Sequence, residues 1–208
     1  MNADRIQTVY NERADRYDAT VGRAENLMLG DFRQQFGALL SGRSLEIGVG
    51  SGLNLPYYTD AVTHAVGADL STGMMDIAHE RGRTLGQPIA LVQADAERLP
   101  FPDAAFDTVA VSLVLCTIPD PERALREMMR VCVSDGRIVL LEHVLSPHAL
   151  VALLERLLTP LQSRAIGCHF DRKTIDTARR VGMDVESEQS RRLGIFRLVV
   201  ARPAPVSP

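Results

Sequence analysis

At 208 residues and a net charge of −3, the chain is sized for one domain whose core is large enough to need no disulfide or metal staple. The near-neutral balance gives no overall pull toward nucleic acid or anionic membranes, and no window reaches the roughly 18 apolar residues of a membrane span. The opening Met1-Asn2-Ala3-Asp4-Arg5 is not an apolar signal segment, and Cys116, Cys132 and Cys168 show no metal or disulfide spacing, so reduced thiols and a cytoplasmic location are expected.

In chain order, helical spacing of Ile6, Val9, Tyr10, Ala14 and Tyr17 predicts a helix over 4–17. Leu27, Met28, Phe32, Phe36 and Leu39 predict a second over 25–40, ended by Ser41-Gly42. Strands are expected at 44–47, 64–69, 89–93 and 108–115. Ser71 is placed to cap a helix running to Arg81, with Gly82 as its stop. Pro121 opens a helix to Val131, and a strongly apolar strand follows at 137–144. A Leu-rich helix is expected at 149–161, with a helix at 174–181 and two strands at 184–187 and 195–201 after it. The tail 202–208 reads as frayed. Strand and helix alternate, which predicts an α/β protein with a mainly parallel sheet covered on both faces.

The richest stretch is Leu45-Glu46-Ile47-Gly48-Val49-Gly50-Ser51-Gly52, followed by Val66-Gly67-Ala68-Asp69-Leu70. A short strand runs into three alternate glycines, and a second strand ends in a carboxylate. That is the layout of a nucleoside site at the carboxyl edge of a parallel sheet. A dinucleotide fingerprint needs a small residue at position 53, where this chain has Leu53. Glu46 beside the loop repels a pyrophosphate and attracts a sulfonium or ammonium group. S-adenosylmethionine carries both cations and no phosphate. The glycines admit close backbone approach, and a helix starting just after them would offer N–H donors to the cofactor carboxylate. The two oxygens of Asp69 suit paired ribose hydroxyls; the alternative is a helix-capping acid. Asp95 and Ala96, after the third strand, suit the adenine edge, or form an ordinary loop. Tyr10 and Tyr17 share a helical face, either as a lid over the cofactor or as simple packing.

These motifs, with Leu99-Pro-Phe-Pro102, Phe106-Asp107 and the run from Val131 to Gly136, resemble the class I S-adenosylmethionine-dependent methyltransferases over nearly the whole chain. The resemblance implies a Rossmann-like seven-stranded sheet, mostly parallel, with an antiparallel last strand. It implies one domain: a helical lid region over 1–41, a cofactor-binding core over 42–145, an acceptor-side insertion over 146–170 and a C-terminal core over 171–201. The cofactor set it implies is Tyr17, Glu46, Gly48, Gly50, Ser51, Gly52, Asn54, Asp69, Leu70, Met74, Asp95, Ala96 and Ser112. Tyr17-Asp18 matches the lid pair of that family.

On the acceptor side the expected residues are Leu113, Cys168 and His169, with His143 as base or acceptor-orienting group. Structural roles for His143 and for the Cys168-His169 pair stay open. Strand four lacks the Asn/Asp-Pro-Pro-aromatic turn of base-methylating enzymes, so nucleic acid is not expected. The stretches 113–123, 141–144 and 167–170 resemble small-molecule methyltransferases acting on alkyl thiols, a branch similar to ubiquinone and phospholipid methyltransferases. An alkyl thiol is the first expectation for the acceptor, with phospholipid amine or quinone carbon as alternatives. Animal members of the thiol branch carry an N-terminal membrane anchor that the opening residues here do not resemble, so no integral membrane segment is expected, while peripheral membrane contact stays open. No metal is expected. The Leu-rich stretch is expected to wall an apolar acceptor pocket. Two readings of other classes stand beside this one. A nicotinamide oxidoreductase is disfavoured by Leu53 and by the lack of a Tyr near Lys173, the chain's one lysine; a non-catalytic S-adenosylmethionine-binding protein remains open.

Overall fold

The computed structural model describes residues 1–22 and 27–203. Its centre is a seven-stranded sheet: β1 (Gly42–Ile47), β2 (Val62–Asp69), β3 (Ile89–Gln93), β4 (Phe106–Ser112), β5 (Cys132–His143), β6 (Asp184–Arg191) and β7 (Phe196–Arg202). Their spatial order is β3-β2-β1-β4-β5-β7-β6. The first five are parallel neighbours, while β7 runs antiparallel to both β5 and β6. Strand order reverses between β1 and β4, so the carboxyl ends of these two strands open the crevice where such sheets bind ligands.

The helices are α1 (Ala3–Tyr17), α2 (Phe32–Leu39), α3 (Thr72–Leu85), α4 (Pro121–Val131), α5 (Ala149–Ile166) and α6 (Thr174–Arg180). Leu125 and Met128 of α4 and Ile175 and Ala178 of α6 pack on one sheet face with Leu45, Val109, Val111 and Leu140. Phe32 and Phe36 of α2 pack on the other with Ala110, Val139, Leu141 and Leu198. The alternation of side chains along each strand makes this two-sided cover.

Several expected boundaries move, each for a local reason. The helix expected over 25–40 is interrupted. Gly30 takes φ +60 and α2 begins only at Phe32; residues 25 and 26 of that expectation lie outside the described residues. Gly82 does not stop α3. It is buried inside the helix, which ends at Gly86 with φ +67, where a Cβ would meet nothing yet the left-handed backbone still favours glycine. The Leu-rich helix runs to Ile166 through Pro160, ending at left-handed Gly167. No full helix follows the glycine loop: residues 55–57 form one 3₁₀ turn, so the helix N-terminus expected there to meet a carboxylate is absent.

The orientation of α5 is inverted. Glu155 and Thr159 face inward, and Glu155 accepts a hydrogen bond from Ser146 N at 2.8 Å. Leu150, Leu157 and Leu161 stand outward at 84%, 68% and 69% exposure, and Leu153, Leu154 and Leu158 are exposed beside them. No residue of 149–161 lines the cavity at the carboxyl edge of the sheet, where the sequence placed an acceptor wall.

Candidate functional site

A cleft lined by the ends of β1, β2 and β4 opens at the carboxyl edge of the sheet. Tyr17, Glu46, Gly48, Gly50, Ser51, Asn54, Asp69, Leu70, Met74, Asp95, Ala96, Ser112 and Leu113 all line it. Gly52 does not; its φ of +77 shapes the turn, and a Cβ there would press on Leu55 at 2.8 Å and Ala78 at 3.2 Å. His143, Cys168 and His169 lie outside the lining, and His143 and Cys168 gather with Cys116 in a separate cluster.

The loop and the acid after β2 are one unit. Gly48 N and Val49 N donate to Ala68 O at 2.7 and 3.2 Å, tying the loop to β2. Gly50 N and Ser71 N each donate to one oxygen of Asp69 at 2.8 Å. Those bonds fix the carboxylate, and each oxygen keeps a lone pair for another donor. Burial pushes the Asp69 carboxyl above its ordinary value, and the two amides partly offset this. Gly48 takes φ +65, and a Cβ there would meet Val114 at 2.3 Å, so glycine is required on both counts.

Glu46 is buried at the floor. Its oxygens accept from Asn54 Nδ2 at 2.6 Å and from the Tyr58 hydroxyl. Burial pushes its pKa up to about 7, against the lowering effect of these bonds and of the nearby Arg33. Arg33, on α2, is buried, lines the cavity, and donates to Asn54 Oδ1 at 2.6 Å. Sequence reasoning missed Arg33 and Tyr58. Both reach the loop from distant segments, and no local motif marks them. A buried carboxylate and a buried guanidinium thus share one wall, the polarity a zwitterion requires.

The end of α1 is pinned over this loop. Asp18 accepts from Ser51 Oγ at 2.6 Å and pairs with Arg81, which also donates to Ser51 O. Asn11 Oδ1 receives Ser71 Oγ at 2.6 Å and Gly73 N at 3.1 Å. Tyr10 and Tyr17, with ring centroids 6.2 Å apart, and Ile6 line the cavity from this helix. Ser51 therefore serves the helix with its hydroxyl rather than the cavity. On the opposite wall Leu113 holds φ +58, a strained conformation for a branched residue of the kind concentrated at functional sites. Ser112 Oγ is buried at the same wall without a hydrogen-bond partner among the described residues. After β3, Asp95 Oδ1 accepts from Glu97 N at 2.9 Å, presenting the 94–96 turn to the cavity.

Fold and cavity together define an α/β protein that binds a nucleoside-bearing ligand at the switch point of its sheet. Comparison with known proteins narrows this. Residues 45–140 match a family described as "Methyltransferase domain". A phosphatidylethanolamine N-methyltransferase of Cereibacter sphaeroides is 39% identical over 132 residues, covering 62% of this chain and 64% of that protein. A demethylmenaquinone methyltransferase of Renibacterium salmoninarum is 31% identical over 146 residues, covering 67% of this chain and 59% of that protein. The chain thus spans about three fifths of the length of these curated relatives. The structure titled "DhpI-SAH complex structure" superposes with a TM-score of 0.70 at 18% identity, covering 98% of this chain and 97% of that one, a likeness of fold. The methyltransferase domain over residues 45–140, these relatives and the fold support a class I S-adenosylmethionine-dependent methyltransferase. S-adenosylmethionine is the cofactor of that class, and the cavity fits it: an acid after β2, a charge pair on the floor and an orphaned hydroxyl on the wall.

Proposed function

We propose that this protein methylates an acceptor carried on a lipid, a primary or secondary amine of an aminophospholipid first and a quinone ring carbon second. The observation that carries this reading is the inverted α5, whose leucines face outward. A face of that kind suits the apolar boundary of a membrane, where a lipid acceptor resides. The helix end adjoins the cavity: a Cβ on Gly167 would lie 3.5 Å from Ile6, which lines it. The relatives named for phosphatidylethanolamine and demethylmenaquinone support the same acceptor class. The alkyl thiol expected from sequence has no such support and becomes the control substrate. The tyrosine pair at the cavity favours the amine, because a methylated ammonium is attracted to aromatic faces.

When bound, S-adenosylmethionine supplies an electrophilic methyl group on a sulfonium. Asp69 would accept from the ribose hydroxyls, and the 94–96 turn would meet the adenine. Arg33 would hold the carboxylate and Glu46 the ammonium of the methionyl part. Leu113, Val114 and the tyrosines exclude water and align the acceptor, so that proximity rather than a protein nucleophile supplies the acceleration. An amine reacts in its neutral form and loses a proton to solvent after transfer.

The test is methyl-labelled S-adenosylmethionine with vesicles containing phosphatidylethanolamine, vesicles containing a demethylated quinol, and a soluble alkyl thiol. Label in a lipid fraction supports the reading, and the fraction that carries it ranks amine against quinone. Label on the thiol alone, or in none of the three, overturns it.

A further inference from the structure

Behind the acceptor wall, three segments far apart in sequence bring soft ligands together. Cys116 follows β4, His143 ends β5, and Cys168 follows α5. Their ligand atoms all lie within 4.8 Å of one another, with His143 Nε2 3.3 Å from Cys168 Sγ. For comparison, Zn–S and Zn–N bonds of about 2.3 and 2.0–2.1 Å at a tetrahedral angle separate S from N by about 3.6 Å. The two cysteines are buried, and no disulfide joins them.

The surroundings hold the three groups in place. His169 N donates to Cys116 O at 3.0 Å, and Leu145 N donates to Arg172 O at 2.9 Å. Arg172 also donates to Leu115 O. Glu142 accepts from Val114 N and Leu115 N at 2.9 and 3.0 Å through one oxygen, and its other oxygen is buried with no partner among the described residues. The ring of Phe170 stands edge-on to His143 at 5.3 Å. Loop 113–117, the end of β5 and the 167–172 turn are thus braced before any ligand arrives.

We propose that Cys116 Sγ, His143 Nε2 and Cys168 Sγ form a binding site for one zinc ion, with its fourth position open to solvent or a small ligand. Two thiolates and one neutral imidazole are a donor set zinc favours, and three protein ligands with an open fourth position are a known form of such sites. Binding releases the two thiol protons to solvent as the thiols ionise, so the buried site is formally neutral once filled. Its role is to clamp the loop carrying Thr117, Ile118 and Pro119, which line the cofactor cavity, onto the turn after α5. His143 thereby acts through the wall rather than on the acceptor.

The test uses the untagged full chain, reduced, stripped with a chelator and kept anaerobic, then titrated with Co²⁺ as a coloured stand-in. One ion per chain is expected, with sulfur-to-metal charge-transfer absorption and tetrahedral visible bands that bleach on adding Zn²⁺. Zn²⁺ should raise the melting temperature. Cys116→Ala and Cys168→Ala should each weaken Zn²⁺ binding by more than the roughly 10–100-fold that loss of an outer partner brings. His143→Gln should weaken it while the thiolate band persists. The titration of the unsubstituted chain needs no variant, so a variant that fails to fold leaves the test intact. Absence of the thiolate band in that chain overturns the proposal, as does a band that survives Cys116→Ala/Cys168→Ala. Isolation as a Cys116–Cys168 disulfide that takes up no metal after reduction overturns it too.

Discussion

Helix α4 buries Ala124, Leu125, Met128 and Val131 against the sheet and turns Arg123 and Arg126 to water, whereas α5 turns six leucines outward and buries Glu155 and Thr159. Both are amphipathic. What differs is the side that meets the protein: α4 sets its apolar stripe on the sheet, and α5 is held by its polar side, through Glu155 and Ser146 N, which leaves its leucines outward. Amphipathicity thus reports that a helix has a preferred side, and the contacts around it decide where that side points.

The sharpest way to break this comparison is to place a charge on each stripe. Leu125→Asp in α4 buries a carboxylate in the sheet core, with an expected loss of about 4 kcal/mol or more and a melting temperature lower by roughly 8–16 °C. Leu157→Asp in α5 should change stability by under about 0.5 kcal/mol, since that side chain is already in water. Its effect should appear in vesicle co-sedimentation, as roughly tenfold or more weaker partitioning, because a buried leucine is worth about 1.5–3 kcal/mol. Equal melting losses in the two variants would place α5 in the core and remove the membrane reading.

Next in size is Asp69→Ala, which separates the cavity from the helix. It removes the two oxygens proposed to meet the ribose as well as the anchor for Gly50 N and Ser71 N. Affinity for S-adenosylhomocysteine, by calorimetry, should fall by about 2–4 kcal/mol, roughly 30- to 1000-fold, while vesicle binding stays unchanged.

The remaining expected effect is the pH response of Glu46. Its carboxyl ionises near 4.5 when unfolded and at about 7 in the free folded chain. Between those values the folded chain holds a proton the unfolded chain has lost, so this group's contribution to stability falls as pH rises from about 4.5 to 7. A cationic cofactor needs the carboxylate form. Its affinity should therefore climb toward pH 7, by up to about tenfold per unit, and level off above. Glu46→Gln should flatten that climb in a pH series of calorimetric titrations; an undiminished slope would move the ammonium contact elsewhere.

The sequence by itself determined the mainly parallel sheet and the glycine loop and acid at its carboxyl edge, because those depend on neighbours in the chain. Apolar runs make strands, glycines at positive φ make the turn, and an acid at a strand end is delivered to the edge by the strand's own direction. The start and end of α4 were readable for the same reason, with Pro121 at its first turn. The glycine loop had no following helix to find, since Leu55, Pro56 and Tyr57 settle instead into one 3₁₀ turn, with Arg33 bonded to Asn54 just before it. Tertiary structure alone decided the rest. Arg33 reaches Asn54, and through it the Glu46 site, from a separate helix, and Tyr58 closes on Glu46 from beyond the loop. Cys116, His143 and Cys168 meet although nothing in their spacing marks a site. The outward face of α5 follows from Glu155 on Ser146 and Gly167 beside Ile6. A periodic pattern fixes how residues are arranged around a helix axis, but the rotation of that axis against the sheet is set by contacts between segments far apart in the chain.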